Sequence, residues 1–274
     1  MPREDAAVRQ SHPDFVEALA RGLDIITSFS PTATALSVSD VAARTSLPRP
    51  TARRLLMTLE RLGYVRSNGG EYTLTTKVLE LGTTYISALG IWELARPHLE
   101  ALVAQTSESS SMSQLDGSDI VYVARVSVPK IIAIAVHIGT RFPAVATSMG
   151  QVLLADLSHA QLEEVLKLPS RSEIIPRVVP SRRELARDLA EVRERGWALS
   201  DERLSLGIRS VAAPVRDASG TTVAAVNVTV HAAETSVSAL KRRHLPRLLE
   251  TARAITEEWA RLSRLPVPDP LGRT

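Results

Sequence analysis

The stretch that decides the fold reads Ser37-Val38-Ser39-Asp40-Val41-Ala42-Ala43-Arg44-Thr45-Ser46-Leu47-Pro48-Arg49-Pro50-Thr51-Ala52-Arg53-Arg54-Leu55-Leu56-Met57-Thr58-Leu59-Glu60-Arg61-Leu62-Gly63-Tyr64-Val65, followed by a glycine-containing turn. Ser37 and Asp40 have the spacing of a capping box that starts a helix. The apolar residues Val41, Ala42 and Leu47 follow, and Pro48 marks a turn before a second helix. In that second helix Ala52, Leu55, Leu56 and Leu59 fall at i, i+3, i+4 and i+7, which makes one buried face. Arg53, Arg54, Met57 and Arg61 project from the other side. Two short helices joined by a tight turn, the second basic on its outer face, describe a helix-turn-helix.

Downstream, Gly63 ends the helix, and Tyr64-Val65-Arg66 and Glu71-Tyr72-Thr73-Leu74 read as strands around the turn Ser67-Asn68-Gly69-Gly70. Asn and Gly accept the positive φ that a hairpin turn needs, so the unit is winged. Six arginines between Arg44 and Arg66 face a single acid, Glu60, which turns an ordinary solvated helix into a candidate for duplex DNA. Arg49, Thr51, Arg53, Arg54 and Met57 on the second helix, with Arg66 and Asn68 on the wing, are the candidate DNA-contacting residues.

The formal charge is only +3 over 274 residues, so the basic character is local. Without cysteine there is no disulfide scaffold and no thiolate zinc site, a composition that fits a cytoplasmic protein. The N-terminal residues lack the apolar core of a signal peptide, and runs such as Ile131 to Val136 are too short to span a bilayer.

Along the chain, Asp14 and Glu17 repeat the capping-box spacing, and Phe15, Leu19, Leu23, Ile26 and Phe29 form a helical stripe ended by Pro31. Thr75 to Leu89 is helical again, either a linker with a dimer contact or a fourth core helix. Gly90 breaks it, and Ile91 to Gln105 carries Leu94, His98, Leu99 and Leu102 on one side, with His98 expected as a packing residue. From Ser109 the period changes to that of strands: Ser109 to Leu115, Ile120 to Val126, Ile131 to Val136, Trp197 to Ser200, Ile208 to Val215 and Thr222 to Val230. Helices are expected at about Thr147 to Leu157, Ala160 to Leu166, Arg182 to Arg195 and Val237 to Leu262. The class is α+β, an antiparallel sheet with helices packed on it.

Several stretches together resemble the IclR family of bacterial transcriptional regulators, from about Phe15 to Leu262. They are Ser39-Asp40-Val41-Ala42 through Arg61-Leu62-Gly63-Tyr64, Gly139-Thr140-Arg141-Phe142-Pro143 through Val152-Leu153-Leu154-Ala155, and Gly207-Ile208-Arg209-Ser210-Val211-Ala212-Ala213-Pro214-Val215. Phe15 to Leu23 and Val121-Tyr122-Val123-Ala124-Arg125-Val126 resemble the subgroup governing protocatechuate and β-ketoadipate catabolism. The resemblance implies a winged helix-turn-helix, a linker helix and a GAF-like effector domain, acting as homodimers or dimers of dimers on operator DNA. The organisation it implies is a tail over residues 1–10, the DNA-binding domain over 11–76, a linker helix over 77–90, an effector-binding domain over 91–265 and a tail over 266–274. One departure is Pro50, where many members carry Ser or Ala; proline is tolerated in a first helical turn but offers a phosphate neither hydroxyl nor amide.

In Val226-Asn227-Val228-Thr229-Val230 the valines share one face and Asn227 and Thr229 the other. With a turn of Asp217-Ala218-Ser219-Gly220, Ser210 falls opposite Asn227, giving a polar row that either lines a pocket or faces solvent. Thr147-Ser148-Met149 opens a helix, whose free amides suit a carboxylate. The family's pocket implies Ser148, Met149, Asp201, Ser210, Asn227 and Thr229 as contacts for a small organic acid. Arg141 and Arg209 either neutralise that acid or hold structural ion pairs. No catalysis is expected: Ala146 stands where a nucleophile elbow needs glycine, and the six histidines are scattered without metal-ligand spacing, so neither metal nor cofactor is implied. A further alternative is a DNA-binding protein whose second domain only oligomerises.

A two-fold dimer should protect a pseudo-palindrome whose half-sites lie about 10 base pairs apart, or a multiple of that. DNase footprinting that returned one isolated asymmetric half-site would rule the dimer out.

Overall fold

In the computed structural model, which describes residues 14–30, 32–81, 90–129 and 136–262, the chain divides into two units, Met1–Ala88 and Leu89–Thr274. The first contains α1 (Glu17–Ser28), β1 (Ala35–Ser37), α2 (Val38–Thr45), α3 (Arg49–Arg61), β2 (Val65–Asn68) and β3 (Glu71–Leu74). Local chemistry sets each boundary. The Ser37 hydroxyl accepts from the Asp40 N–H at 3.2 Å and the Asp40 carboxylate accepts from the Ser37 N–H at 2.9 Å, so α2 starts on a complete capping box. Its two hydrogen bonds from Ser37, side chain first, hold the Asp40 carboxyl below the usual carboxylate range. At the end of α3, Gly63 adopts φ +83 while its N–H meets the Glu60 carbonyl and that of Tyr64 meets Leu59, both at 2.9 Å. That pair of bonds is a Schellman stop, and a side chain at Gly63 would be strained in it. Ile25, Val41, Ala52, Leu56, Leu59 and Val65 form the core.

Several expectations for this unit are corrected. The wing has three strands in the order β1-β3-β2, because Ala35–Ser37 pairs with β3; three residues are too short a run to show alternation. Its hairpin turn is Gly69-Gly70 alone, both at positive φ, with Asn68 already paired to Glu71. Helix α1 begins at Glu17 with Val16 in the cap position and no side-chain cap, and Glu17 reaches forward to Arg21 at 2.8 Å instead of back. Its buried side is also rotated: Ile25 is fully buried with Ile26 and Phe29 beside it, whereas Phe15, Leu19 and Leu23 of the expected stripe are exposed. The helix ends at Ser28; Pro31, both tails and most of the expected linker helix lie outside the described residues, apart from a helical turn at 78–81.

The second unit is α4 (Ile91–Thr106), β4 (Ser109–Asp116), β5 (Asp119–Val126), β6 (Arg141–Pro143), α5 (Ser148–Ala155), α6 (His159–Lys167), α7 (Arg182–Arg195), β7 (Ala198–Asp201), β8 (Ile208–Arg216), β9 (Thr222–His231), α8 (Val237–Ala239), a π turn (Leu240–His244) and α9 (Leu245–Leu262). The strands make one antiparallel sheet, β6-β5-β4-β9-β8-β7. The strand expected over 131–136 lies outside the described residues, apart from Val136, which is not in a strand. His98 on α4 meets Glu258 on α9 at 2.7 Å, so it is a paired surface group.

Each face of this sheet has its own core. Val226, Val228 and Val230 of β9 pack with α4 and α9, while Tyr122, Ala212 and Ala225 face α5 and α7. Alternation breaks at one place. The register of β4 with β5 shifts between Met112 and Ser113, so Ser111 pairs with Arg125 but Ser113 with Tyr122. Val123 and Ala124 both enter the α4–α9 core, and Tyr122 and Arg125, three residues apart, share the other face. The β8–β9 register also differs from expectation: Ser210 pairs with Thr229 and Ala212 with Asn227. The turn is one residue longer than expected, pairing Arg216 with Thr222, and an irregularity between Val215 and Arg216 adds a second residue, so the net shift of two preserves the face of every side chain.

Helix α5 is seated on the chain just before it. A first side-chain carbon at Gly150 would lie 2.1 Å from the Ala144 carbonyl oxygen, so only glycine permits this approach. Gly150→Ala should cost about 3 kcal/mol, as overpacking against backbone does. Urea unfolding with an unchanged midpoint would show that α5 is not held this way.

Candidate ligand cavity and nucleic-acid interface

The sheet face beneath α5 carries two rows of paired residues. One runs Ser109–Thr229–Ser210–Ser200 across β4, β9, β8 and β7. The other runs Arg125–Ser111–Asn227–Ala212 across β5, β4, β9 and β8. Between these rows and α5 lies a cavity with about 820 Å³ of atom-free space, its mouth included. Tyr122, Arg125, Phe142, Ser148, Met149, Leu204, Ser210, Asn227 and Thr229 are among its walls, with Glu108 and His231.

Polar groups in the wall are paired across elements. The Ser148 and Ser210 hydroxyls lie 2.7 Å apart, joining α5 to β8, and Ser200 donates to the Ala146 carbonyl at 3.0 Å. Thr147 caps α5 by accepting from the Gly150 N–H at 3.0 Å. The Ser113 hydroxyl meets the Met149 sulfur at 3.3 Å. Asn227 Oδ1 accepts from the Ser111 N–H at 3.0 Å, and its Nδ2 donates to Thr229 Oγ1 at 3.1 Å. Arg125 donates to Ser111 Oγ at 3.1 Å. Burial pushes the Tyr122 hydroxyl up to about 12 against the pull of Arg125 and Asn227, so it keeps its proton at neutral pH. Burial also lowers the Arg125 guanidinium from its ordinary value, partly offset by Tyr122, yet an arginine stays charged in a protein.

Five residues named from the sequence, Ser148, Met149, Ser210, Asn227 and Thr229, stand around this cavity. Asp201 is not in its wall: it is exposed at the end of β7 and meets Arg209 Nε at 2.7 Å. Arg209 also donates to the Ala232 and Thr235 carbonyls, and Arg141 is paired with Asp116, so both arginines serve structural ion pairs. Sequence reading missed Tyr122, Arg125 and Ser111 as a set, because period-two alternation puts Tyr122 and Arg125 on opposite faces. Among the described residues no group of three or more His, Asp or Glu is placed to hold a metal ion, and no helix is long and apolar enough to cross a membrane.

On the first unit, Arg53, Arg54, Met57 and Arg61 are exposed on α3, while Ala52, Leu56 and Leu59 on its other side are buried. Glu60, the one acid of the helix, accepts from the Ser67 N–H of the wing at 3.0 Å. That contact leaves Arg49, Arg53, Arg54 and Arg61 without an ion-pair partner among the described residues. Pro48 gives α3 no side-chain cap, so the first amides of the helix are open to an anion, with Arg49 exposed and Thr51 half-buried there. Arg54 and Arg61 line the groove toward Glu17 and Arg21 of α1, whereas Arg53 does not. On the wing, Arg66 donates to Thr73 Oγ1 at 3.3 Å, and Arg66 and Asn68 are exposed.

Comparison with known proteins matches residues 18–69 to the IclR helix-turn-helix domain and residues 83–257 to the bacterial transcriptional regulator IclR C-terminal domain. The chain is 38% identical over 247 residues to the Pca regulon regulatory protein of Pseudomonas putida, covering 90% of this chain and 85% of that one. It is 33% identical over 244 residues to the p-hydroxybenzoate hydroxylase transcriptional activator of Acinetobacter baylyi, covering 87% and 90%. A crystal structure of a transcriptional regulator from Rhodococcus sp. RHA1 superposes with a TM-score of 0.80 at 46% identity, covering 90% of this chain and all of that one.

Arg53→Ala should weaken binding by about 1–3 kcal/mol and relax preference at one operator position, as loss of a bidentate guanine contact does. Arg66→Ala should weaken all sequences alike and reduce the salt slope by about one. Binding measured across single base changes and several salt concentrations separates the two, and wild-type selectivity in both Arg53→Ala and Arg54→Ala would remove α3 as the reading element.

Proposed function

Because the chain belongs to the IclR family of bacterial transcriptional regulators, we propose that it binds its operator as a two-fold dimer whose affinity is set by a small aromatic acid held in the second unit. The cavity carries this reading. Two polar rows and a half-buried arginine face a void under α5, although the same sheet shows it can close a largely apolar core on its other side. A unit that only oligomerised would have no use for such a wall, since each inward polar group costs free energy unless it is matched. The relatives that share most of the chain are regulators of a pca regulon and of p-hydroxybenzoate hydroxylase, which points to acids of aromatic catabolism. With its target on the chromosome, the protein works in the cytoplasm, and it performs no catalysis.

The acid acts by binding two arrangements of the dimer with different affinity; equal affinity for both would shift nothing. The arrangement it favours fixes the spacing of the two α3 helices and so the fit to successive major grooves.

4-Hydroxybenzoate or protocatechuate should raise the melting temperature of the wild-type chain, with β-ketoadipate and glyoxylate as comparison acids, because a ligand that binds only the native state stabilises it. Ser210→Leu, which fills the cavity from the middle of the polar row, should lose that shift while keeping its affinity for the operator. A folded Ser210→Leu variant with undiminished acid affinity in calorimetry would place the effector elsewhere.

A further inference from the structure

The hydrogen-bond network behind one part of the cavity wall has a fixed polarity. A backbone N–H can only donate, so the 3.0 Å contact from the Ser111 N–H fixes which end of the Asn227 amide is oxygen. The donating end, Nδ2, is then committed to Thr229 Oγ1 at 3.1 Å. Tyr122 stands in the same wall, on the sheet face that carries Arg125. The Thr229 oxygen receives a hydrogen from Asn227 and is left with its own O–H to give, and the protonated Tyr122 hydroxyl has one as well. Neither donates to another protein group among the described residues. Arg125 spends one of its five N–H donors on Ser111 Oγ, which leaves four others. Tyr122, Arg125 and Thr229 all line the cavity, so this part of the wall presents donors and a positive charge.

We propose that this is a carboxylate clamp, in which Arg125 and the hydroxyls of Tyr122 and Thr229 grip the ionised acid group of the effector and Asn227 is the positioning residue that aims the Thr229 hydroxyl. The proposal rests on the reading of the second unit as an acid-binding domain and adds the orientation of the acid within it. The rest of the lining argues for the same orientation. Glu108 and His231 stand just past the Ser109–Thr229 pair, where an incoming carboxylate would meet another carboxyl group. At the α5 side the Ser148 and Ser210 hydroxyls are already bonded to each other, and Val136, Phe142 and Leu204 supply apolar wall for a ring.

Calorimetry on the full chain tests the clamp, with 4-hydroxybenzoate, protocatechuate and β-ketoadipate each titrated beside the corresponding amide, which keeps shape but carries no charge. The wild type should prefer acid over amide by about 10- to 100-fold, the range of charge-assisted hydrogen bonds. Arg125→Gln and Tyr122→Phe should each lower that ratio severalfold while leaving affinity for the amide nearly unchanged. Asn227→Asp keeps an acceptor for the Ser111 N–H but replaces the donating end with oxygen, so its ratio should fall below that of either variant. Arg216→Gln, which removes an arginine paired with Asp156 away from the cavity wall, should keep the wild-type ratio. If Arg125→Gln destabilises the fold, Tyr122→Phe, which conserves shape, decides the outcome. An unchanged ratio in Tyr122→Phe and Asn227→Asp, or a ratio that collapses in Arg216→Gln instead, overturns the clamp and leaves the acid-effector reading standing. A wild type that binds none of the three acids overturns that reading, and the clamp with it.

Discussion

A buried primary amide has two hydrogens to give and an oxygen to fill, and each group left unmatched costs about 1–3 kcal/mol. Asn227 is only 3% exposed, and it meets that demand with the Ser111 N–H on one side and the Thr229 hydroxyl on the other. The match exists only in the observed register of β4 with β9, where Ser111 and Asn227 are directly paired. A slip of one residue would turn Asn227 into the α4–α9 core and put a valine beneath α5. Ser111 also holds Arg125 through its hydroxyl, so one strand position orients both the amide and the charge of the cavity. The seat of α5 on Ala144, made possible by Gly150, then roofs the row without filling it.

The DNA-binding unit solves the opposite problem, keeping charge unpaired. Its apolar set is spent on one side of α3, and the only acid of that helix is bound to the wing backbone. The cations beside it face solvent at no desolvation cost and meet phosphate or base edges without first breaking an ion pair. Exposed arginine on the first unit and half-buried arginine on the second therefore serve different ends. The first gives affinity for a polyanion, and the second, in the clamp proposed above, gives selectivity for one small anion.

How much of this could be read beforehand follows from the range of the interactions involved. The helix-turn-helix was legible because its signals are local: the Ser37–Asp40 capping box, the stop at Gly63 and the Gly69-Gly70 turn all act within a few residues. The alternation of Val226, Asn227, Val228 and Thr229 was legible for the same reason. Rotation of α1 toward Ile25 was not, since Leu19 and Leu23 carry the same apolar signal and only the position of α2 and α3 decides which side is covered. The pairing of Ser210 with Thr229 depended on a turn one residue longer than expected and on an irregularity at Val215–Arg216, neither of which leaves a mark in composition. Tyr122 and Arg125 were hidden by the bulge opposite Met112–Ser113, which breaks the period on which any strand reading depends. Asp201 fails to reach the cavity because it alternates with Ser200, and Arg209, its direct register partner on β8, holds it outside.

The central claim is that the cavity of the second unit and the DNA face of the first share one free-energy balance. Linkage makes it testable in both directions, because whatever factor the acid applies to operator affinity, the operator must apply to acid affinity. Operator binding followed by fluorescence anisotropy with and without saturating 4-hydroxybenzoate gives the first factor, and calorimetry of the acid with and without saturating operator gives the second. The account predicts equal factors, about 5- to 150-fold in size. An acid that binds the chain tightly yet leaves operator affinity unchanged would contradict it.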